Sequence, residues 1–277
     1  MTLLSKLMFW KSDVPRVSVI RLAGVIASGG GSIRKNLNYD TLEPVIKKAF
    51  ADKKQKAVIL CVNSPGGSPV QSALIGKRIR QLAEKNKMPV IAFCEDVAAS
   101  GGYWLASCAD EIYADEASII GSIGVISAGF GFAEAISKLG IERRIYTSGK
   151  SKSMLDPFKD ENPDEIARLK VLQNEIHEHF IAHVKSRRGE KLNEEEPLFN
   201  GLFWTGNRAK QLGLIDGIGA MHSILTQRFG EKVKIKHIAQ KKGLFSLAGN
   251  SAKIGAAISH ELLDEIENRH IWARFGL

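Results

Sequence analysis

Ser100, in the run VAASGGYW (97–104), is followed by two glycines, and Lys152 stands in the run YTSGKSKSMLDPF (146–158). A serine and a neutral lysine suffice to hydrolyse an amide without histidine or aspartate. The hydroxyl attacks the carbonyl and the amine takes its proton. An ordinary lysine has a pKa of about 10.4, so at pH 7 only about one in 10³–10⁴ is neutral. Lowering that value by ~3 units costs ~4 kcal/mol. Desolvation or a neighbouring positive charge supplies such a shift, and an adjacent carboxylate opposes it. The flanks GKSKSML hold no acid, and Asp156 is the nearest. Lys150 is the rival base. An exposed loop charge is the plain alternative for both lysines.

Acyl transfer also needs donors for the developing oxyanion. The run AVILCVNSPGGS (57–68) ends a buried apolar stretch on Gly66 and Gly67, whose bare backbone can approach a bound atom. Ser100 falls at an expected helix start, where unpaired N–H groups and the positive end of the dipole favour an alkoxide. Gly101 follows and can offer its own N–H. Ser122, in IIGSIGVI (119–126), is a hydroxyl among small and apolar residues that can orient an amine. Each has a plainer alternative: a strand-to-helix turn, a helix N-cap, and a serine satisfied by backbone.

These groups are useful only if elements bring them together. Strands are expected over Arg16–Ile26, Ala57–Val62, Pro89–Cys94, Glu111–Ala114, Ser122–Ile126 and Arg143–Thr147. Helices are expected over Tyr39–Ala51, Val70–Asn86, Ser100–Cys108, Phe132–Leu139, Gly206–Gly213 and Ile218–Phe229. A longer helix is expected over Pro163–Arg188, with Asn162 as its cap and an apolar stripe at Ile166, Leu169, Leu172, Ile176, Phe180 and Val184. The alternation predicts an α/β fold with a parallel sheet and helical crossovers. Neighbouring parallel strands end side by side, so the turns bearing Gly67 and Ser100 should converge.

The 277 residues are 44% hydrophobic and 25% charged, an ordinary globular balance. They divide into an N-terminal arm (1–14), a core (15–229) and a basic extension (230–277). Within the extension, Lys232–Lys242 reads as an edge strand with lysines facing water, and Ala252–Arg269 as an amphipathic helix for docking or oligomer contact. The net charge of +9 is spread along the chain, so no nucleic-acid partner is expected. The three cysteines, Cys61, Cys94 and Cys108, stand in apolar runs and read as buried thiols in a reducing compartment. The apolar residues at the N-terminus are too few and too interrupted for a signal peptide or a span. A cytoplasmic protein is expected, with peripheral contact to a bacterial inner membrane left open. His179 and His183 share a helix face, but HEHFIAH lacks the spacing of a zinc protease, so no metal is expected. No phosphate or dinucleotide loop is present, and no cofactor is expected.

NSPGGS, AASGGYW, GSIGVI, SGKSKSMLDPF and LFWTGNRAKQLGLIDGIG occur in this order across roughly Val17–Gly219. Together they resemble the signal peptide peptidase A family of serine–lysine peptidases. The resemblance implies a Clp protease/crotonase-like fold, Ser100 as nucleophile, Lys152 as general base and Ser122 holding the lysine. It also implies an oxyanion hole at Gly67 and Gly101, substrates with hydrophobic segments such as remnant signal peptides, and ring- or dome-shaped homo-oligomers. Serine and lysine can then come from one subunit or from neighbours. Val97, Tyr103, Trp104 and Ile120 are the expected apolar substrate walls. Two rivals share parts of the pattern: a crotonase-like acyl-CoA hydratase or isomerase, and a non-catalytic ring-forming scaffold. The first recruits glutamates near its oxyanion hole, whereas here the nearest acids, Glu95 and Asp96, precede the serine.

Overall fold

The computed structural model describes residues 14–29, 36–193, 195–239 and 271–276. The expected N-terminal arm (save its last residue) and the helix over Ala252–Arg269 lie outside them. Strands β1 (Arg16–Ala23), β2 (Ala57–Ser64) and β3 (Val90–Ala99) are parallel neighbours. They are joined by helices α1 (Tyr39–Ala49) and α2 (Pro69–Asn86). Asn38 caps α1 through the Thr41 amide, and Ser68 with Pro69 opens α2.

β2 shows why its sequence is apolar without alternation. Val58, Leu60 and Val62 enter the main core, while Ala57, Ile59 and Cys61 enter a second cluster on the opposite face. A strand covered on both faces has no polar side to show. Each fully buried valine, isoleucine or leucine contributes ~1.5–3 kcal/mol. The second cluster is closed by Leu225 of α7 (Met221–Phe229). The cysteines are buried and free, and burial pushes Cys61 up to about 11 and Cys94 and Cys108 up to about 12.

β3 runs five residues beyond the apolar stretch that announced it. Its polar pair is accommodated: Glu95 accepts two hydrogen bonds from Arg21 at 2.7 Å, and Asp96 accepts one from Asn63 at 2.6 Å. The first half of β3 pairs with β4 (Glu111–Ala114), the second with β5 (Ile119–Gly121). β6 (Phe203–Thr205) adds antiparallel to β5, and β7 (Gly217–Ile218) pairs with β4. β8 (Lys234–His237) pairs with β1 at the far edge, with Lys234 and Lys236 exposed as the sequence indicates. No strand forms over 122–126 or 143–147. Ser122 turns to a positive φ there, and Arg143 pairs with Asp156 in an exposed segment with no strand beside it.

That segment holds the short helix α4 (Ala133–Lys138), which buries none of its residues. α5 (Pro163–Arg188) follows, capped by Asn162. Of the expected stripe only Phe180 and Val184 are buried, whereas Leu172 and Ile176 are exposed. α5 is held to α3 (Gly101–Ala106) by stacking of Trp104 on Phe180 and on His183, both at 4.8 Å between centroids. The helix α6 (Gly206–Gln211) lies between β6 and β7.

His183 donates from Nε2 to the Trp104 carbonyl at 3.3 Å, and burial pushes its imidazole down to about 4. An unfolded histidine titrates near 6.5. As the pH falls from about 6.5 to about 4, the unfolded chain takes up a proton that the folded chain refuses. Stability is therefore full above that interval and falls within it by ~3 kcal/mol. His183→Phe keeps the stack on Trp104 and removes the titration. Urea unfolding at pH 7 and pH 4.5 should show the wild type losing about 2–3 kcal/mol more than the variant. Equal losses would contradict this assignment.

Candidate active site

Ser100 is the single residue between β3 and α3, and it bends the chain sharply, with φ 52° and ψ −123°. A non-glycine residue in that region costs of order 1–3 kcal/mol and persists only where its surroundings impose it. Here the Ser100 amide donates to the Gly121 carbonyl at 2.8 Å, and its carbonyl accepts from the Trp104 amide at 3.0 Å. The hydroxyl does not cap α3, so the helix-cap alternative does not account for it. A strained strand-to-helix turn that presents a free serine hydroxyl is the form a nucleophile takes on other α/β sheets.

The turn after β2 lies directly against it. A side chain at Gly66 would stand 2.7 Å from the Ser100 Cβ and 2.8 Å from the Gly101 nitrogen. The sheet register brings Ser64 opposite Ala98, so the two strand ends arrive together, as expected of parallel neighbours. Ser64 pins the turn by donating to the Gly24 carbonyl and accepting from the Gly66 amide. Asn63 ties it to β3 by accepting from the Val97 amide at 3.2 Å.

Gly67 forms a parallel bridge with Ile26 in which the Gly66 carbonyl and the Ser68 amide make the hydrogen bonds. The N–H of Gly67 itself therefore points away from Ile26. Gly101 opens α3, where the first amides have no partner within the helix. The two glycines thus stand on turns that touch.

Ser122 follows β5 and is also held at a positive φ, 52°. Its amide donates to the Leu202 carbonyl at 2.7 Å, and the residue is 5% exposed. Among the described residues neither hydroxyl, of Ser100 or Ser122, has a hydrogen-bond partner. Both line one cavity of about 410 Å³, together with Val125, Ile126, His177, Asn200 and Arg274.

His177 was not singled out by its sequence. It lies three residues before Phe180 and seven before Val184, the spacing of one helical face, and this was the available signal. Its Nε2 stands 3.2 Å from the Ile123 carbonyl, which can only accept, so Nε2 carries the proton and Nδ1 is left as the other ring atom. The ring braces the segment that begins at Ser122.

The remaining expectations fare differently. Lys152 and Lys150 are both exposed, and neither lines the Ser100 cavity. Within this chain the amine is not delivered to the serine. Val97, Tyr103 and Ile120 are fully buried, and none of them lines the cavity. Val97 packs with Ala99 and Phe275, and Tyr103 donates to the Leu214 carbonyl at 2.8 Å. Trp104 faces a different groove, between α2 and α5. Val97, Tyr103 and Ile120 are core side chains, and Trp104 lines a groove remote from Ser100. The apolar lining of the cavity comes from Val125 and Ile126 instead. Glu95 and Asp96, the nearest acids in sequence, are already engaged by Arg21 and Asn63.

The profile of peptidase family S49 matches residues 82–236. The chain belongs to peptidase family S49. This S49 chain is 32% identical over 220 residues to a putative signal peptide peptidase SppA of Enterococcus faecium, covering 78% of this chain and 64% of that protein. It is 31% identical over 213 residues to a putative protease of Synechocystis, covering 76% of this chain and 72% of that protein. A Brucella abortus protein named Na(+)/H(+) antiporter NhaA is 50% identical over 94% of the chain, but the match spans only 37% of that protein. Among the described residues no helix is long and apolar enough to cross a membrane. A mutant of the 1510-N membrane-bound stomatin-specific protease superimposes with a TM-score of 0.50 at 21% identity, over 82% of this chain and 98% of that one. The fold of this S49 chain is thus the Clp protease/crotonase-like α/β fold its sequence indicated.

Proposed function

We propose that this chain is a serine endopeptidase in which Ser100 attacks a peptide carbonyl and Lys152 of a neighbouring copy acts as general base. The observation that carries it is Ser100 itself, strained, uncapped and facing Ser122 in one cavity. The amides of Gly67 and Gly101 hold the tetrahedral oxygen. The neutral amine takes the Ser100 proton, passes it to the leaving nitrogen, and water then releases the acyl-enzyme. Ser122 accepts a hydrogen bond from the amine and fixes its direction. No step needs a metal or cofactor.

Delivery from a second copy accords with the segment that bears Lys152. It carries Phe130, Leu139, Ile141 and Tyr146 at 55–90% exposure, apolar surface that one chain leaves uncovered. A contact through this surface would bring the amine to the partner's serine and dry its surroundings. A ring or dome of such contacts would be closed.

Substrates with hydrophobic segments, including remnant signal peptides, fit the site best. Val125 and Ile126 line the cavity, and Ile126 is 68% exposed. Two fluorogenic peptides alike except for leucines or serines flanking the cleaved bond test the preference. The leucine peptide should be cleaved with a kcat/KM about 10–100-fold higher, the yield of one or two buried side chains. Equal rates would remove the hydrophobic assignment. Thioester turnover without peptide cleavage would favour the acyl-CoA alternative.

A further inference from the structure

The described charges that line the cavity at Ser100 are of one sign. Arg274 is the cation lining it, His177 and Asn200 add polar groups, and no acidic side chain lines it among the described residues. Arg274 forms no ion pair with any described residue, and its guanidinium lies over the Phe275 ring at 5.8 Å from the centroid, which leaves its N–H donors for a ligand. It is also held in place. Phe275, the next residue, is 7% exposed and packs on Val97 and Ala99, the end of the strand that delivers Ser100. Phe203 of β6 closes on the Phe275 ring edge-on at 5.2 Å. The pair thus seats one ring against β3 and places Arg274 in the lining of the Ser100 cavity.

We propose that Arg274 binds a carboxylate of the substrate, with His177 and Asn200 as its polar neighbours, and that the preferred carboxylate is the C-terminal one of a short peptide. The inference rests on Ser100 being the nucleophile. A guanidinium presents paired donors that match a carboxylate, and it keeps its charge at any working pH. Ser100 and Arg274 line the same cavity of about 410 Å³, so one short peptide can meet both. For such peptides the carboxylate held at Arg274 would fix which bond is presented to Ser100, while longer chains would be cut without that contact. Pairing with Arg274 also neutralises the carboxylate. The substrate then brings no net negative charge that would favour protonation of the catalytic amine.

The test uses three peptides of one apolar sequence on the full chain: a free C-terminal acid, its carboxamide, and a carboxamide whose last residue is glutamate. The wild type should cleave the free acid with a kcat/KM about 10–100-fold above the plain carboxamide, mostly through KM, the size of one charge-assisted hydrogen bond. If the glutamate carboxamide matches the free acid, the preference for the C-terminal carboxylate is overturned, and only a general carboxylate subsite remains. In Arg274→Gln the ratio of acid to carboxamide should fall to within about threefold, and Arg274→Lys should restore part of it. Equal cleavage of acid and carboxamide by the wild type would overturn the proposal. So would an unchanged ratio in Arg274→Gln. Failure to cleave any of the three peptides would instead count against the hydrolase assignment itself.

Discussion

Replacing Ser100 by alanine is expected to lower kcat/KM for peptide cleavage by at least about 10⁴-fold. The hydroxyl is the only group lost, and it makes no hydrogen bond to a described residue. Alanine accepts the same backbone turn at a similar strain, since neither residue is glycine. The thermal midpoint should therefore stay within about 2 °C of the wild type. This combination separates the nucleophile from a structural serine. A helix cap would lose stability and leave the rate largely intact; a nucleophile does the reverse. A variant that cleaves normally would remove Ser100 from the mechanism.

Lys152→Ala carries the second large effect. Loss of the base should lower kcat by about 10³–10⁴-fold and leave only what the oxyanion donors and binding supply. The amine lies outside the cavity of its own chain, so the two lesions should complement each other between copies. Coexpressed Ser100→Ala and Lys152→Ala chains should assemble sites that take serine from one and lysine from the other. Random pairing gives about a quarter of wild-type activity. Inactive mixed assemblies, verified by mass to contain both chains, would place the lysine in the serine's own subunit. Full activity of Lys152→Ala alone would exclude it as base, and Lys150 would become the group to vary.

What the sequence made legible follows the range of each signal. The buried runs of β2 and β3 and the glycines after them are local, and parallel pairing adds one step: neighbouring strands end together. Those facts placed Gly66 against Ser100 with only the sheet order assumed. The continuation of β3 through Glu95 and Asp96 was hidden, because each acid is satisfied by a partner far along the chain. The expected substrate wall failed for a related reason. An apolar residue beside a nucleophile can face the substrate or the core, and composition does not distinguish them. Val97, Tyr103 and Ile120 face the core. The groups that do line the cavity come from segments far away in sequence: His177 from α5, Asn200 from the approach to β6, and Arg274 from the C-terminal segment. Only the fold brings them together, and only His177 left a trace, in its spacing from Phe180 and Val184.

The most direct measurement is to trap the acyl-enzyme. The protein is mixed with an activated ester of an apolar peptide, quenched in acid and mapped by mass spectrometry. One acyl adduct is expected, on the fragment that contains Ser100, and none in Ser100→Ala. An adduct on another residue, or ester turnover by Ser100→Ala at the wild-type rate, would contradict it.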